Sequence, residues 1–173
     1  MKNTLKNYAI LIPISSALII LDQWTKTLVR SHLAYGEAWS PWGNLAPFFR
    51  IVHWYNTGVA FGLFQNLGLL FTILPFIISV VIFIYYPILA GRDWIMRIAL
   101  SMQFGGAVGN LIDRLTIGHV TDFISVGNFP VFNVADSCIT GGVFLMVLGM
   151  WLQERKESRE KDLGENLANQ DDS

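Results

Sequence analysis

Asp122 and Asp136 stand in the stretch HVTDFISVGNFPVFNVADSC (119–138), which is otherwise made of Val, Phe, Ile and small polar residues. An ionised carboxylate is costly in apolar surroundings unless it is paired or put to use. Two carboxylates brought close in low dielectric cannot both ionise easily, so one keeps a proton. Such a pair suits acid–base hydrolysis. The ionised member draws a proton from water while the protonated member hydrogen-bonds the carbonyl under attack. The two titrate as a pair, so neither role is assigned to a single residue.

Other polar residues recur near these two in kind and spacing. In DQWTK, Asp22 and Lys26 are spaced i,i+4 and share a helix face, where a structural ion pair and a functional one are both open readings. In GGAVGNLIDR, Asn110, Asp113 and Arg114 fall at i, i+3 and i+4, again on one face. Gly105 and Gly109 there form a small-xxx-small pair, which favours close helix packing. FNVADS puts Asn133 three residues before Asp136, a spacing that an N-cap would also produce.

Rival chemistries find little support. No GxSxG elbow is present. His32, His53 and His119 are isolated and there is no HExxH, so no metal site and no cofactor are expected. Cys138, the one cysteine, leaves no internal disulfide and reads as a small buried side chain.

The elements that must hold these residues follow from hydropathy. The 173 residues are 53% hydrophobic and 14% charged, against about 25% charged in an ordinary domain. No Asp, Glu, Lys or Arg occurs between Arg50 and Arg92, and a bilayer core of about 30 Å takes roughly 20 helical residues to cross. The chain reads as an all-α integral membrane protein with four transmembrane helices, at about 8–29, 67–89, 94–112 and 135–153. Pro13 and Pro75 are tolerated inside such spans. The first span follows Lys2 and Lys6 but no small-residue cleavage site follows it, so it reads as an uncleaved anchor. Residues 1–153 form one domain, and 154–173 a charged, helical tail that frays into a disordered end.

With both termini cytoplasmic, Lys2, Lys6, Arg92, Arg97, Arg155, Lys156, Arg159 and Lys161 lie inside, and Lys26, Arg30, Arg50 and Arg114 outside, as the positive-inside rule requires. Two outer segments result, about 31–66 and 115–134. The first is aromatic (Trp39, Trp42, Phe48, Phe49, Trp54, Tyr55, Phe61, Phe64), and FFRIVHWY within it reads as a short strand. Interfacial packing and a cover over a substrate both account for the aromatics. A net charge of −1 argues against a nucleic-acid binder.

Five blocks now carry a resemblance: DQWTK (22–26), NTGVAFG (56–62), GGAVGNLIDR (105–114), VTDFI (120–124) and FNVADS (132–137). In this order they resemble the bacterial lipoprotein signal peptidases, the type II signal peptidases, over essentially the whole chain up to the tail. The resemblance implies an aspartic endopeptidase of the bacterial cytoplasmic (inner) membrane with its site at the outer face. Its substrate would be a prolipoprotein cut just before a diacylglyceryl-modified Cys, and membrane lipid its surroundings. By position Asp122 and Asp136 would be the catalytic pair. Asp22, Lys26, Asn56, Gly106, Asn110, Asp113, Arg114 and Asn133 would shape or support the site. A monomer is expected.

Three other readings fit less well. A small ion-coupled transporter also needs buried charges, but here they gather at one face and show no inverted repeat. A non-catalytic scaffold has no use for two unexplained carboxylates. An intramembrane protease of the presenilin type carries its Asp in a G-x-G-D setting, which is absent.

Overall fold

The computed structural model describes residues 8–41, 43, 48–57, 68–91 and 93–171. Lys2, Lys6, Trp42, Phe61, Phe64 and Arg92, together with the part of the NTGVAFG block after Thr57, lie outside the described residues. Among the described residues, four helices and three strands follow in the order α1 (Leu11–His32), β1 (Ala38–Trp39), β2 (Phe49–Asn56), α2 (Gly68–Leu89), α3 (Trp94–Thr116), β3 (Val120–Val126) and α4 (Val134–Asp171).

Three of the helices are long and apolar enough to cross a membrane, over Leu69–Leu89, Trp94–Thr116 and Val134–Lys161. α1 is as long, at 22 residues, but Asp22, Gln23 and Lys26 dilute its apolar run. α2 is apolar nearly all round, and Leu69, Ile84 and Ile88 are exposed, as on a lipid-facing helix. α3 is the central element, packed on α4, α1 and α2. It starts sharply because the Asp93 carboxylate accepts the N–H groups of Ile95 and Met96, two of the helix's orphan donors. At this end Leu11, Ile82, Tyr86, Ala90 and Leu100 form the apolar core.

At the other end the strands make one antiparallel sheet, ordered β1-β2-β3, with a register shift in β2 between Ile51 and Trp54. The strand expected at FFRIVHWY is β2, starting one residue later. β3 falls within the outer segment expected at 115–134, where the sequence marks no strand: it is buried on both faces up to Phe123 and lacks the alternation that marks a half-exposed one. A bridge from Ile124 to Phe132 then folds the chain back beside β3, just before α4 begins.

α4 continues without a break through the charged tail to Asp171. Glu, Lys and Arg are good helix formers, and a Gln153–Glu157 hydrogen bond of 3.2 Å and a Lys156–Glu160 pair at 3.9 Å brace successive turns. The disordered end read from composition is replaced by helix up to that residue.

Candidate active site

The site lies where the C-terminal halves of α1 and α3 meet β3 and the start of α4. Close approach of the helices makes it possible. A methyl added to Gly106 would overlap the Ala135 carbonyl oxygen, and one on Gly109 would come within 2.7 Å of Asp22 Oδ2. Gly105 likewise lies against the Ser15 backbone of α1, with 3.2 Å to an added methyl. These glycines let α1 and α4 pack directly on α3.

The lower layer is a buried ion cluster. Lys26 is fully buried, and its Nζ lies 2.8 Å from Asp22 Oδ2 and 3.3 Å from Asp113 Oδ2. Its third direction is taken by Asn110 Oδ1, which accepts at 2.9 Å. Each of the two carboxylates also grips a backbone N–H. Asp22 Oδ1 accepts from Ala135 N at 2.9 Å, and Asp113 Oδ2 from Thr121 N at 3.0 Å. Ala135 directly precedes Asp136, and Thr121 directly precedes Asp122. The cluster therefore fixes the two segments that carry the candidate pair.

The upper layer is built from asparagine amides. Asn110 Nδ2 donates to Asp136 Oδ1 at 2.7 Å. Asn133 Nδ2 donates to Asp122 Oδ1 at 2.6 Å, and Asn56 Nδ2 to Asp122 Oδ2 at 2.8 Å. Asn133 also caps α4, its Oδ1 accepting from Asp136 N at 2.9 Å. So the N-cap reading of Asn133 holds, and the same side chain reaches Asp122 as well. Asn133 Nδ2 further lies 3.2 Å from Asn110 Oδ1, joining the two amides.

Asp122 is 1% exposed, whereas Asp136 is half-buried. Burial pushes the Asp122 carboxyl up to about 6; the negative charge of Asp136 adds to the rise, and the amides of Asn56 and Asn133 oppose it. The half-buried Arg114 guanidinium lies within electrostatic reach of Asp136, Asp122 and Asp113. The arrangement is thus a buried carboxylate that feels the charge of a second, half-buried one, both held by neutral donors beside a cation. That is the layout acid–base chemistry on water needs.

Of the residues expected from sequence, Asp22, Lys26, Asn56, Asn110, Asp113, Asp122, Asn133 and Asp136 are joined in one continuous network. Gly106 seats α4 beside it, and Arg114 flanks it. Three further members were missed: Gln23, Arg30 and Thr121. Gln23 Nε2 donates to Asp113 Oδ1 at 3.1 Å, and Arg30 NH1 to Thr121 Oγ1 at 3.0 Å. Arg30 carried a signal, since it continues the Asp22–Lys26 stripe by four residues; Thr121 carried none, because its partners lie in other elements. Among the described residues no three His, Cys, Asp or Glu side chains form a group that could hold a metal ion.

Comparison with known proteins gives a consistent result. The family described as signal peptidase (SPase) II matches residues 14–152. A lipoprotein signal peptidase of Halalkalibacterium halodurans is 38% identical over 153 residues, covering 86% of this chain and 96% of that protein. One from Dehalococcoides mccartyi is 41% identical over 140 residues, covering 75% and 81%. A bacterial membrane enzyme solved by the in meso method at 2.3 Å resolution superposes with a TM-score of 0.75, at 31% identity, covering 83% of this chain and 88% of that one.

Proposed function

The chain belongs to the signal peptidase II family, and from that premise we propose that Asp122 and Asp136 are its catalytic dyad. The protein is an aspartic endopeptidase that removes the signal peptide from prolipoproteins. One observation carries the assignment of the dyad. Asn133 and Asn110 tie the two carboxylates into a single network, and that network rests on Lys26.

The dyad shares one proton. Its ionised member takes a proton from a water whose oxygen attacks the scissile carbonyl carbon, and its protonated member donates to the carbonyl oxygen. Collapse of the tetrahedral intermediate breaks the C–N bond. The proton taken from water passes to the departing amine, and the signal peptide leaves as a free carboxylate. Arg114 stabilises the charge that builds up on the way. Asn56, Asn110 and Asn133 hold the carboxylates in place, and Asp22, Lys26 and Asp113 hold the backbone beneath them.

The substrate is a prolipoprotein whose Cys carries a diacylglyceryl group, and the cut falls just before that Cys. Its acyl chains stay in the bilayer, so the peptide enters from the side, at the membrane surface. α1 completes a four-span arrangement: Ile12, Ile20, Leu21, Trp24 and Leu28 are exposed while Ser15, Asp22 and Lys26 are buried, as on a helix with one lipid face. Both termini face the cytoplasm of the inner membrane, the dyad lies at the outer face, and the enzyme works as a monomer. The purified protein, given a diacylglyceryl-modified precursor, should release a signal peptide and a lipoprotein beginning at the modified Cys, as read by mass. Equal cleavage of the unmodified precursor would remove the lipid from the substrate definition.

A further inference from the structure

Leu21, Thr25, Leu28 and His32 follow at i, i+4, i+7 and i+11, so they form one stripe along the outer half of α1. Leu21 and Leu28 are 42% and 47% exposed. The Thr25 hydroxyl is occupied within its own helix, donating to Leu21 O at 2.9 Å, so the side chain offers its methyl to the stripe. In the upper two turns this stripe runs into a groove between α1 and the sheet. Thr25, Leu28, Val29 and His32 form one wall, and Trp39 and Phe123 form the other. Its volume is about 600 Å³, within the range of about 300–1,000 Å³ usual for small-ligand sites. The lining is apolar apart from the Thr25 hydroxyl and the His32 imidazole, and His32 Nδ1 already lies 2.9 Å from Leu28 O.

The groove lies back to back with the dyad. Alternation along β3 sends Asp122 toward Asn56 and Asn133 and sends Phe123 to the opposite face. We propose that this groove is a binding site for an acyl chain of a membrane phospholipid, separate from the acyl chains of the substrate. Such a site presupposes the membrane placement given under the proposed function. The occupant is lipid because the groove continues a stripe of α1 that the bilayer must cover. It is not the substrate, whose scissile bond has to reach Asp122 and Asp136 on the other side of β3. A chain seated there backs Phe123, and through it the strand that carries Asp122.

Two single-tryptophan versions of the full chain test this, one keeping Trp39 in the groove and one keeping Trp24, which is 60% exposed lower on α1. Both are reconstituted in phosphatidylethanolamine–phosphatidylglycerol vesicles whose acyl chains carry bromine, a contact quencher of indole fluorescence. Both should be quenched. Val29→Phe, which fills the groove, should remove at least half of the Trp39 quenching and leave Trp24 unchanged, whereas Val29→Ala should preserve both. Thr25→Phe fills the groove from its lipid side and gives the same readout if Val29→Phe does not fold. Trp24 quenched with Trp39 unquenched, or Trp39 quenching indifferent to filling, overturns the lipid site and leaves the membrane placement standing. Trp24 unquenched overturns the placement and the site together.

Discussion

Asn133 and Asp136 cap each other across the first turn of α4: Asp136 N donates to Asn133 Oδ1 at 2.9 Å, and Asn133 N to Asp136 Oδ2 at 3.3 Å. Because Asn133 Nδ2 simultaneously reaches Asp122 Oδ1, one side chain both starts the helix and holds a carboxylate of the proposed dyad. The two duties separate by substitution. Asn133→Ser and Asn133→Ala both lose the amide donor, but only alanine loses the cap, at a cost of about 0.5–2 kcal/mol. Turnover should fall in both variants alike, by roughly tenfold to a hundredfold, the equivalent of about 1–3 kcal/mol for a lost buried hydrogen bond. Unfolding measurements should show alanine alone carrying the extra loss. A serine variant as fast as wild type would reduce Asn133 to a cap.

The pH profile follows from Asp122, whose carboxyl is pushed up to about 6 from an ordinary 3.8, first by burial and further by the charge of Asp136. Its folded value is the higher one, so the native state binds the extra proton between these two values. The stabilisation this gives is complete below about 3.8 and is lost as pH rises through about 6. kcat/KM, which reports the free enzyme, should decline as pH rises through the same value, because the dyad then loses its shared proton. Asp136→Asn removes one of the causes raising Asp122, so the carboxyl followed by carbon NMR should titrate lower in that variant. No downward movement would mean that the two carboxylates do not sense each other.

Lys26 serves two carboxylates and an amide at once. Lys26→Met strands Asp22 in the interior and leaves Asp113 to Arg30 at 3.5 Å and Gln23, and breaking a buried pair in this way costs about 3–5 kcal/mol. Denaturant unfolding in micelles should show a loss of that order, with part of it recovered in the Lys26→Met, Asp22→Asn double variant. Lys26→Arg should rescue poorly, since a planar fork does not replace a compact ammonium among three converging acceptors. Full stability of Lys26→Met would contradict the view that the cluster anchors β3 and α4.

Local spacing made half of the site legible. The Asp22–Lys26 pair, the shared face of Asn110, Asp113 and Arg114, and the Asn133 cap each depend on helix geometry within a few residues, and all three are present. What spacing does not encode is how the elements cross. Asp22 meeting Ala135, and Asp113 meeting Thr121, depend on helices brought together at Gly105, Gly106 and Gly109. β3 escaped notice because burial on both faces erases the alternation that announces a strand. The apolar run reads α1 as a span, yet the polar stripe that makes it useful to the site interrupts that run, whereas each of the other three helices contains a stretch apolar enough to cross a membrane.

The central claim is that Asp122 and Asp136 act together on water. It is tested most directly by the cleavage of a diacylglyceryl-modified prolipoprotein by the wild type, Asp122→Asn and Asp136→Asn. Asparagine keeps the shape of the side chain and much of its hydrogen bonding but cannot exchange a proton. Each single substitution should abolish cleavage, with a loss of at least about a thousandfold as expected for members of one catalytic unit, while folding and substrate binding persist. If either variant cuts at close to the wild-type rate, that carboxylate is structural and the dyad mechanism is wrong.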